Sequence, residues 1–129
     1  MSDLLSSMQS SVSGMTAQSM RLRVSSENIA NSDTPGYHGK IVRFAQVAAG
    51  DGTSRVVSGP PELSNASLDR IYAPGHPLAD AEGYYDGSNV NLMVEIADAR
   101  EAQRSYEANL KMFDQARAMS SSLLDLLRR

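Results

Sequence analysis

The side chains that could do chemistry in this chain are few, and they form no recognised catalytic or metal-binding arrangement. The two histidines, His38 and His76, lie beside glycine or proline in predicted turns. Two histidines without cysteine or a tight carboxylate cluster are a poor signal for a metal site, so we interpret them as solvated loop residues. Asp80 and Glu82 could form a paired-carboxylate site, but no apolar neighbours promise the desolvation that would shift a carboxyl pKa. We therefore expect them to be surface charges.

Motifs for nucleophilic catalysis and nucleotide binding are also missing from the sequence. It contains no G-x-S-x-G, no G-x-G-x-x-G and no phosphate-binding loop with its lysine. The glycines of GDGTS, residues 50–54, lack the strand–helix context that binds a phosphate. NAS at 65–67 matches a glycosylation sequon, a pattern short enough to arise by chance. The sequence thus predicts a protein that is not an enzyme and has no cofactor and no metal site.

Charge and cysteine content restrict the function classes further. The formal charge is −3, and residues 32–89 carry all of it, while both ends of the chain are balanced. Nucleic acid would need a basic stripe, which is not visible, whereas balanced ends can pack against neighbours without repulsion. The absence of cysteine excludes disulfides and thiolate metal sites. No apolar run approaches the roughly 20 residues of a membrane span, and the first residues do not resemble a secretory signal.

Helical periodicity dominates the first quarter of the chain. From about Asp3 to Ala30 there is no proline and one glycine, and apolar residues recur at steps of three, four and seven. From Met8 to Ile29 the seven-residue repeat is strict, as is typical of coiled coils. The predicted seam of this helix consists of Leu5, Met8, Val12, Met15, Leu22 and Ile29.

A second helix is predicted from Leu92 to Arg129, a stretch free of proline and glycine. Asn91 is suited to cap it, because its side-chain oxygen can accept from the first free backbone N–H groups. Towards the end, apolar residues cover much of the helix circumference, so the last turns should contact more than one helix. The predicted seam consists of Leu92, Ile96, Ala99, Tyr106, Leu110, Phe113, Leu124 and Leu127.

Between the helices the chain is rich in glycine and proline and contains only short runs of β-forming residues. In chain order the predictions are a strand over 40–47, a flexible turn over 50–54, a strand over 55–57, a loop over 58–65, a strand with a Pro-Gly turn over 68–80, and a hairpin or extended lead over 83–91. Strands this few and short make only a small β insert.

The predicted fold class is mainly α, with long N- and C-terminal helices packed as an antiparallel coiled-coil-like pair. Residues 1–31 and 90–129 form this discontinuous core, and residues 32–89 form the small Gly- and Pro-rich β insert. Neither helix can bury its seam alone, and the pair would leave apolar surface for neighbouring molecules. The residues by themselves therefore predict a subunit of an assembly.

The segment NIANSDTPGY, residues 28–37, joins the first helix to the insert. Asn31 can adopt the left-handed conformation that ends a helix. Pro35 and Gly36 suit the two central positions of a type II turn that closes at Tyr37. Taken locally, the segment predicts a helix stop followed by a turn.

Three segments, in chain order, resemble the bacterial flagellar axial proteins, the rod and hook family. SSENIANSDTPGYHGK is similar to their N-terminal signature, in which a helix ends in Ala-Asn and Thr-Pro-Gly-Tyr follows. YAPGHPLADAEGY and NVNLMVEIADAREAQRSYEANLKMF resemble segments of the proximal type of short rod subunit. The matching residues are Asn28, Ala30, Asn31, Thr34, Pro35, Gly36 and Tyr37 in the first segment, Tyr72, Pro74, Gly75, His76, Pro77, Gly83 and Tyr84 in the second, and Asn89, Val90, Asn91, Arg104, Ser105, Tyr106, Ala108 and Asn109 in the third.

The resemblance implies a structural role in the flagellar basal body. Subunits would pass through the flagellar type III export apparatus without a cleaved signal and stack helically, with other rod subunits, into a rod that crosses the periplasm. The terminal helices would line the inner tube, and the insert would face outward. The resemblance implies no nucleic acid, small-molecule substrate or membrane insertion. The alternatives are another axial subunit of the family, or a soluble coiled-coil adaptor or export chaperone.

Overall fold

Two long helices and three small sheets make up the described part of the chain. The structure is a computed structural model that describes residues 2–128. Helix α1 spans Ser2–Ala30 and helix α2 spans Leu92–Leu127. The strands are β1 (Lys40–Ile41), β2 (Phe44–Ala48), β3 (Ser54–Ser58), β4 (Glu62–Leu63), β5 (Arg70–Tyr72) and β6 (Tyr84–Asp86). Two terminal helices packed on each other with small strands between them are thus confirmed, while residues 1 and 129 of the predicted core lie outside the described range.

The two helices pack side by side and run in opposite directions. Near the middle of α1, Gly14 faces Asn109, so closely that a Cβ at position 14 would lie 2.8 Å from the Asn109 Oδ1. Two turns further along α1, the Arg21 guanidinium pairs with Asp98 at 3.3 Å and Glu101 at 3.2 Å, which come earlier in α2. None of the helices in residues 2–128 is long and apolar enough to cross a membrane.

Mostly small residues supply the buried face of the helix pair. Ser11, Ala17 and Val24 of α1 and Ala102 and Ala116 of α2 are buried. The predicted seams contribute to this contact only in part, since seven of their residues are half-buried and seven are exposed. The physical reason is that small side chains let two helix backbones approach closely, which moves bulky side chains to the margins of the contact. The exposed seam residues are Leu5, Val12, Leu92, Tyr106, Leu110, Leu124 and Leu127, and the half-buried ones are Met8, Met15, Leu22, Ile29, Ile96, Ala99 and Phe113.

Each small sheet of the insert is an antiparallel pair. Strand β1 pairs with β4, β2 with β3, and β5 with β6. The single strand predicted over 40–47 is therefore wrong: it is broken at residues 42–43, where the chain changes its pairing partner. The loop predicted over 58–65 is also corrected, since it contributes β4. Of the two alternatives predicted for residues 83–91, the extended lead is the one observed: Tyr84–Asp86 form β6, which pairs with β5 rather than within the segment, and residues 87–91 run without a strand into α2.

The β2–β3 hairpin lies along the first half of α1. The Arg55 Nη2 donates to the Gln9 Oε1 at 2.6 Å. At the tip of the hairpin, the Ser6 hydroxyl donates to the Asp51 carboxylate at 3.2 Å. These two polar contacts hold the hairpin against the side of α1.

The end of α1 is closed by side-chain hydrogen bonds. The prediction of a left-handed Asn31 is wrong, because within residues 2–128 only glycines have a positive φ. Instead, the Asn31 Nδ2 donates to the Glu27 carbonyl at 2.9 Å, and its Oδ1 accepts from the Thr34 hydroxyl at 3.1 Å. The predicted turn is confirmed: Gly36 has a φ of 74°, and the Tyr37 N–H donates to the Thr34 carbonyl at 3.2 Å.

Candidate functional site: the junction between the helices

The end of α1 and the lead into α2 meet in one hydrogen-bonded cluster, residues 28–40 and 86–91, here called the helix junction. Asn28 is at its centre and is 1% exposed. Its Oδ1 accepts from the Tyr37 hydroxyl and the Lys40 N–H, both at 2.8 Å, and its Nδ2 donates to the Lys40 carbonyl at 2.9 Å. A buried amide needs such partners, and here they hold the chain that leaves the helix against the helix itself.

Asn89 plays the corresponding part on the returning chain. Its Oδ1 accepts from the Gly39 N–H at 2.7 Å, and its Nδ2 donates to the carbonyls of Ala66 at 2.9 Å and Ser64 at 3.3 Å. Its own N–H donates to the Tyr37 carbonyl at 3.2 Å. One side chain thus ties together the outgoing chain, the middle of the insert and the start of the second helix.

Gly39 lies between these two asparagines, and no motif marked it as important. A Cβ there would lie 3.3 Å from the Val90 Cγ2 and 3.4 Å from the Asn89 Oδ1. Ser88 was likewise missed: it is buried, its hydroxyl donates to the Ser32 carbonyl, and it accepts from the Val90 N–H. The only sequence signal for Gly39 and Ser88 was that both lie close to residues that match the family motifs.

The turn at the end of α1 docks on the end of strand β6. The Gly36 N–H is shared between the carbonyls of Asp86 and Gly87, each at 3.2 Å. At the start of α2, Asn91 caps the helix as predicted, because its side chain accepts from the Val94 N–H at 3.3 Å. The junction therefore fixes where each helix ends relative to the other.

A charged pair borders the junction. The Lys40 Nζ lies 2.7 Å from the Glu27 Oε1, and this hydrogen bond, with the charge of Glu27, raises the pKa of Lys40. Desolvation raises the pKa of Tyr37, and the charge of Glu27 raises it further. At neutral pH the tyrosine keeps the proton that it donates to Asn28, and the lysine stays charged. This is the electrostatics of a structural site, since a catalytic base would need a lowered lysine pKa.

Asp80 organises the second matched segment. Its Oδ1 accepts from the N–H groups of Glu82 at 2.9 Å and Tyr84 at 3.0 Å, and its Oδ2 lies 2.8 Å from the Arg70 Nη2. The backbone hydrogen bond from Tyr84, followed by the other contacts, holds the pKa of Asp80 below its usual value. Asp80 is exposed and ionised, as expected, and it closes the loop of the β5–β6 hairpin.

The aromatic residues of the same segment stack on one another. His76 is half-buried, and its ring stacks on Tyr85 with centroids 3.9 Å apart and planes at 7°. Its Nδ1 accepts from the Leu78 N–H at 3.1 Å, so its interpretation as a solvated residue is wrong. His38, in contrast, is exposed. The rings of Tyr72 and Tyr84 lie 5.1 Å apart.

The matched residues on α2 lie apart from the junction, near the middle of the helix. The Asn109 Nδ2 donates to the Ser105 carbonyl at 3.0 Å, which leaves its amide against Gly14. Tyr106 lines an open groove with Val12 and Met15. Arg104, Ala108, Ala30, Thr34 and Pro35 are exposed, as are Pro74, Gly75 and Pro77 in the hairpin loop.

The arrangement holds chain segments in place. Within residues 2–128, no three side chains of the His, Cys, Asp or Glu type are grouped closely enough to hold a metal ion. The side chains of Asn28 and Asn89 bond mainly to backbone groups of the chain segments around them.

Comparison with known proteins assigns the family. The model "Flagella basal body rod protein" matches residues 8–38, and the model "Flagellar basal body rod FlgEFG protein C-terminal" matches residues 81–126. The flagellar basal-body rod protein FlgC of Agrobacterium fabrum is 42% identical over 124 residues, which cover 90% of this chain and 89% of the relative. The chain belongs to the FlgC family of flagellar basal-body rod proteins.

The FlgC match extends to distant bacteria. The FlgC of Escherichia coli O6:H1 is 37% identical over 88% of this chain and 90% of its own length. The FlgC of Aquifex aeolicus is 34% identical over 88% of this chain and 89% of its own length. The resemblance to the flagellar rod family is therefore confirmed. One family model includes residues 28–38 of the helix junction, and the other includes its residues 86–91.

Proposed function

We propose that this chain is a structural subunit of the bacterial flagellar basal-body rod. It would polymerise helically through its terminal helices and form the proximal part of the drive shaft and export channel. The single observation that carries this function is the 42% identity to a FlgC rod protein over nine-tenths of both chains. The proposed role is mechanical, with no reaction catalysed.

The exposed apolar surface supports polymerisation. Small residues form the buried contact between α1 and α2, so bulky residues of both helices face solvent in the single chain. An isolated protein rarely leaves so much apolar surface uncovered, and such surface marks a protein–protein contact. In a rod, neighbouring subunits would cover it.

We assign the rod core to residues 1–31 and 90–129 and the outer part to residues 32–89. The charge distribution supports this division, because the whole net charge of −3 lies in the insert and the two ends are balanced. Balanced helices can be buried among identical copies, whereas an acidic insert is better left in water. The helix junction would transmit force between the parts, since its hydrogen bonds bind the insert to both helices.

The location follows from the same proposal. The chain would reach the basal body through the flagellar type III export apparatus, without a cleaved signal, and cross the periplasm as part of the rod. Its partners would be copies of itself and the rod subunits on either side.

A deletion strain of the source bacterium tests the function. Deletion should leave cells without hooks, filaments or swimming, and a plasmid copy of the chain should restore all three. A deletion strain that builds complete flagella would contradict the proposal. Sedimentation of the purified chain separates it from the adaptor alternative, because an adaptor or export chaperone should form a stable folded dimer at micromolar concentration.

A further inference from the structure

An apolar groove lies where the β2–β3 hairpin meets the helix pair. Its volume is about 540 Å³, and it is lined by Leu5, Met8 and Val12 of α1 and Phe113 of α2. Leu5 and Val12 are exposed within it. Arg55 of the hairpin forms one wall of this groove. It therefore combines an apolar floor with a cation at its edge.

Arg55 lacks a counter-ion in the single chain. Its Nη2 donates to the neutral amide of Gln9, and its Nε is buried without an acceptor among the described residues. No carboxylate of residues 2–128 comes within ion-pair distance of it. A guanidinium has five N–H donors and pairs best with a carboxylate, so the groove is suited to an apolar partner that carries an acidic group.

The last turns of α2 offer four leucines around one carboxylate, Asp125, ahead of the two arginines that end the sequence. Because Gly14 faces Asn109, the start of α1 lies opposite residues near 120, and the end of α2 projects beyond it. This projecting segment, Leu123–Leu127 or the leucine end, has the sequence Leu-Leu-Asp-Leu-Leu. Leu126 is 62% exposed and Leu127 is 78% exposed. Asp125 has no ion-pair partner in the described part of the chain.

The leucine end cannot fill the groove of its own chain. Helix α2 is continuous to Leu127 and contains neither glycine nor proline, so its end points away from the groove beside Leu5. We propose that the leucine end of one copy docks in the groove of a second copy, where Asp125 pairs with Arg55. This inference rests on the proposed function, since it names the contact between two rod subunits.

Such a contact leads to an open assembly. The groove and the leucine end are different surfaces of the same chain, so each copy that receives a partner still presents its own leucine end to the next. Aligning position 125 of one copy with position 9 of its neighbour shifts the second helix pair by about twelve residues, or about 18 Å along the axis. The contact therefore specifies a staggered, head-to-tail series.

Charge exchange tests the pair. In the deletion strain, Asp125→Arg and Arg55→Asp should each lower the amount of the chain in purified basal bodies by tenfold or more, because like charges would meet across the contact. The double variant should recover to within about threefold of the natural chain. Glu107→Arg is the matched control, since Glu107 is exposed, lies five helical turns earlier on the same face of α2 and is outside both the leucine end and the groove lining, and it should have little effect.

The inference is overturned if both single variants are incorporated normally, or if the double variant is no better than the worse single one. Asp125 lies on an exposed helix end, so its variant remains informative even where Arg55→Asp weakens the fold. The failure of the proposed function looks different: there the natural chain itself would be absent from basal bodies.

Cysteine cross-linking provides a second readout, since the natural chain has no cysteine. One copy carrying Arg55→Cys and another carrying Asp125→Cys, expressed together, should form a disulfide-linked dimer in assembled rods. Glu107→Cys in place of Asp125→Cys should not. Equal cross-linking by both would also overturn the inference.

Discussion

The side-chain amide of Asn28 pairs with the backbone of Lys40 through two hydrogen bonds, as a neighbouring strand would. The Lys40 N–H donates to the Asn28 Oδ1 at 2.8 Å, and the Asn28 Nδ2 donates to the Lys40 carbonyl at 2.9 Å. The last turn of α1 thus binds the first residue of β1 directly. Because the same Oδ1 also accepts from Tyr37, the chain that leaves the helix is held at two points, and the junction is a rigid connection between helix and insert.

Asn28→Ala should destabilise the fold strongly. It leaves the Tyr37 hydroxyl and both peptide groups of Lys40 without their partner, and unpaired buried groups cost about 1–3 kcal/mol each. We expect a loss of about 2–4 kcal/mol in the free energy of unfolding, allowing for water that reaches the site. Urea denaturation followed by circular dichroism measures it. Asn31→Ala, which removes hydrogen bonds of a more exposed asparagine, should cost about 1 kcal/mol, and an equal loss for both would contradict the central role of Asn28.

Tyr37 and Lys40 should make the fold sensitive to alkaline pH. Both pKa values are raised in the folded chain, from 10.0 and 10.5 respectively. The unfolded chain therefore loses these protons first, so their stabilisation is complete below about pH 10 and is lost as the pH rises through the folded values. The thermal midpoint should fall more steeply above pH 10 in the natural chain than in Tyr37→Phe. If the thermal midpoint falls equally steeply with pH in both proteins, Tyr37 does not contribute to the alkaline loss of stability.

Much of the helical framework could be predicted from the sequence, because its signals are local. The absence of proline marked both helices, although α1 contains Gly14, and Asn91 was recognisable as a cap from its position before Leu92. The Pro35-Gly36 dipeptide was sufficient to predict the turn at Gly36. The partners of Asn28 were not predictable in this way, since Lys40 is twelve residues away and a single sequence does not reveal which amide the fold will bury.

The face of the helix contact was predicted only in part, for a physical reason. A periodicity argument selects the largest apolar residues, such as Leu5 and Val12, as the buried stripe. Here the helices approach closely where Gly14 lies against Asn109, and apart from Val24 the buried apolar residues are alanines. The pairing of the strands could not be predicted either, because β1 and β4 have two residues each, too few to show an alternating hydrophobic pattern.

Asp80 should matter on the acid side of the pH range. Its pKa is lowered in the folded chain from 3.8, so its stabilisation is present above that value and is lost as the pH falls through the lower folded pKa. The amide signals of Glu82 and Tyr84 in an NMR titration should shift together as Asp80 takes up its proton. Asp80→Ala should release both amides already at neutral pH. Glu82→Gln is the control, and a matching change there would contradict the assignment to Asp80.

Ala102→Leu should weaken the helix pair because the contact has no room for it. Ala102 is 0% exposed, and enlarging a well-packed position costs about 1–3 kcal/mol. Ala97→Leu places the same side chain on an exposed position of the same helix, where alanine and leucine have similar helix propensities, so it should change the free energy of unfolding by less than about 0.5 kcal/mol. Urea denaturation of both variants gives the comparison. If both variants lose the same free energy of unfolding, the close approach of the helices at Gly14 does not extend to Ala102. The bulky seam residues would then have space to turn inward. If Ala102→Leu alone is costly, the small residues are what keep the seam residues outside and available to a neighbouring subunit.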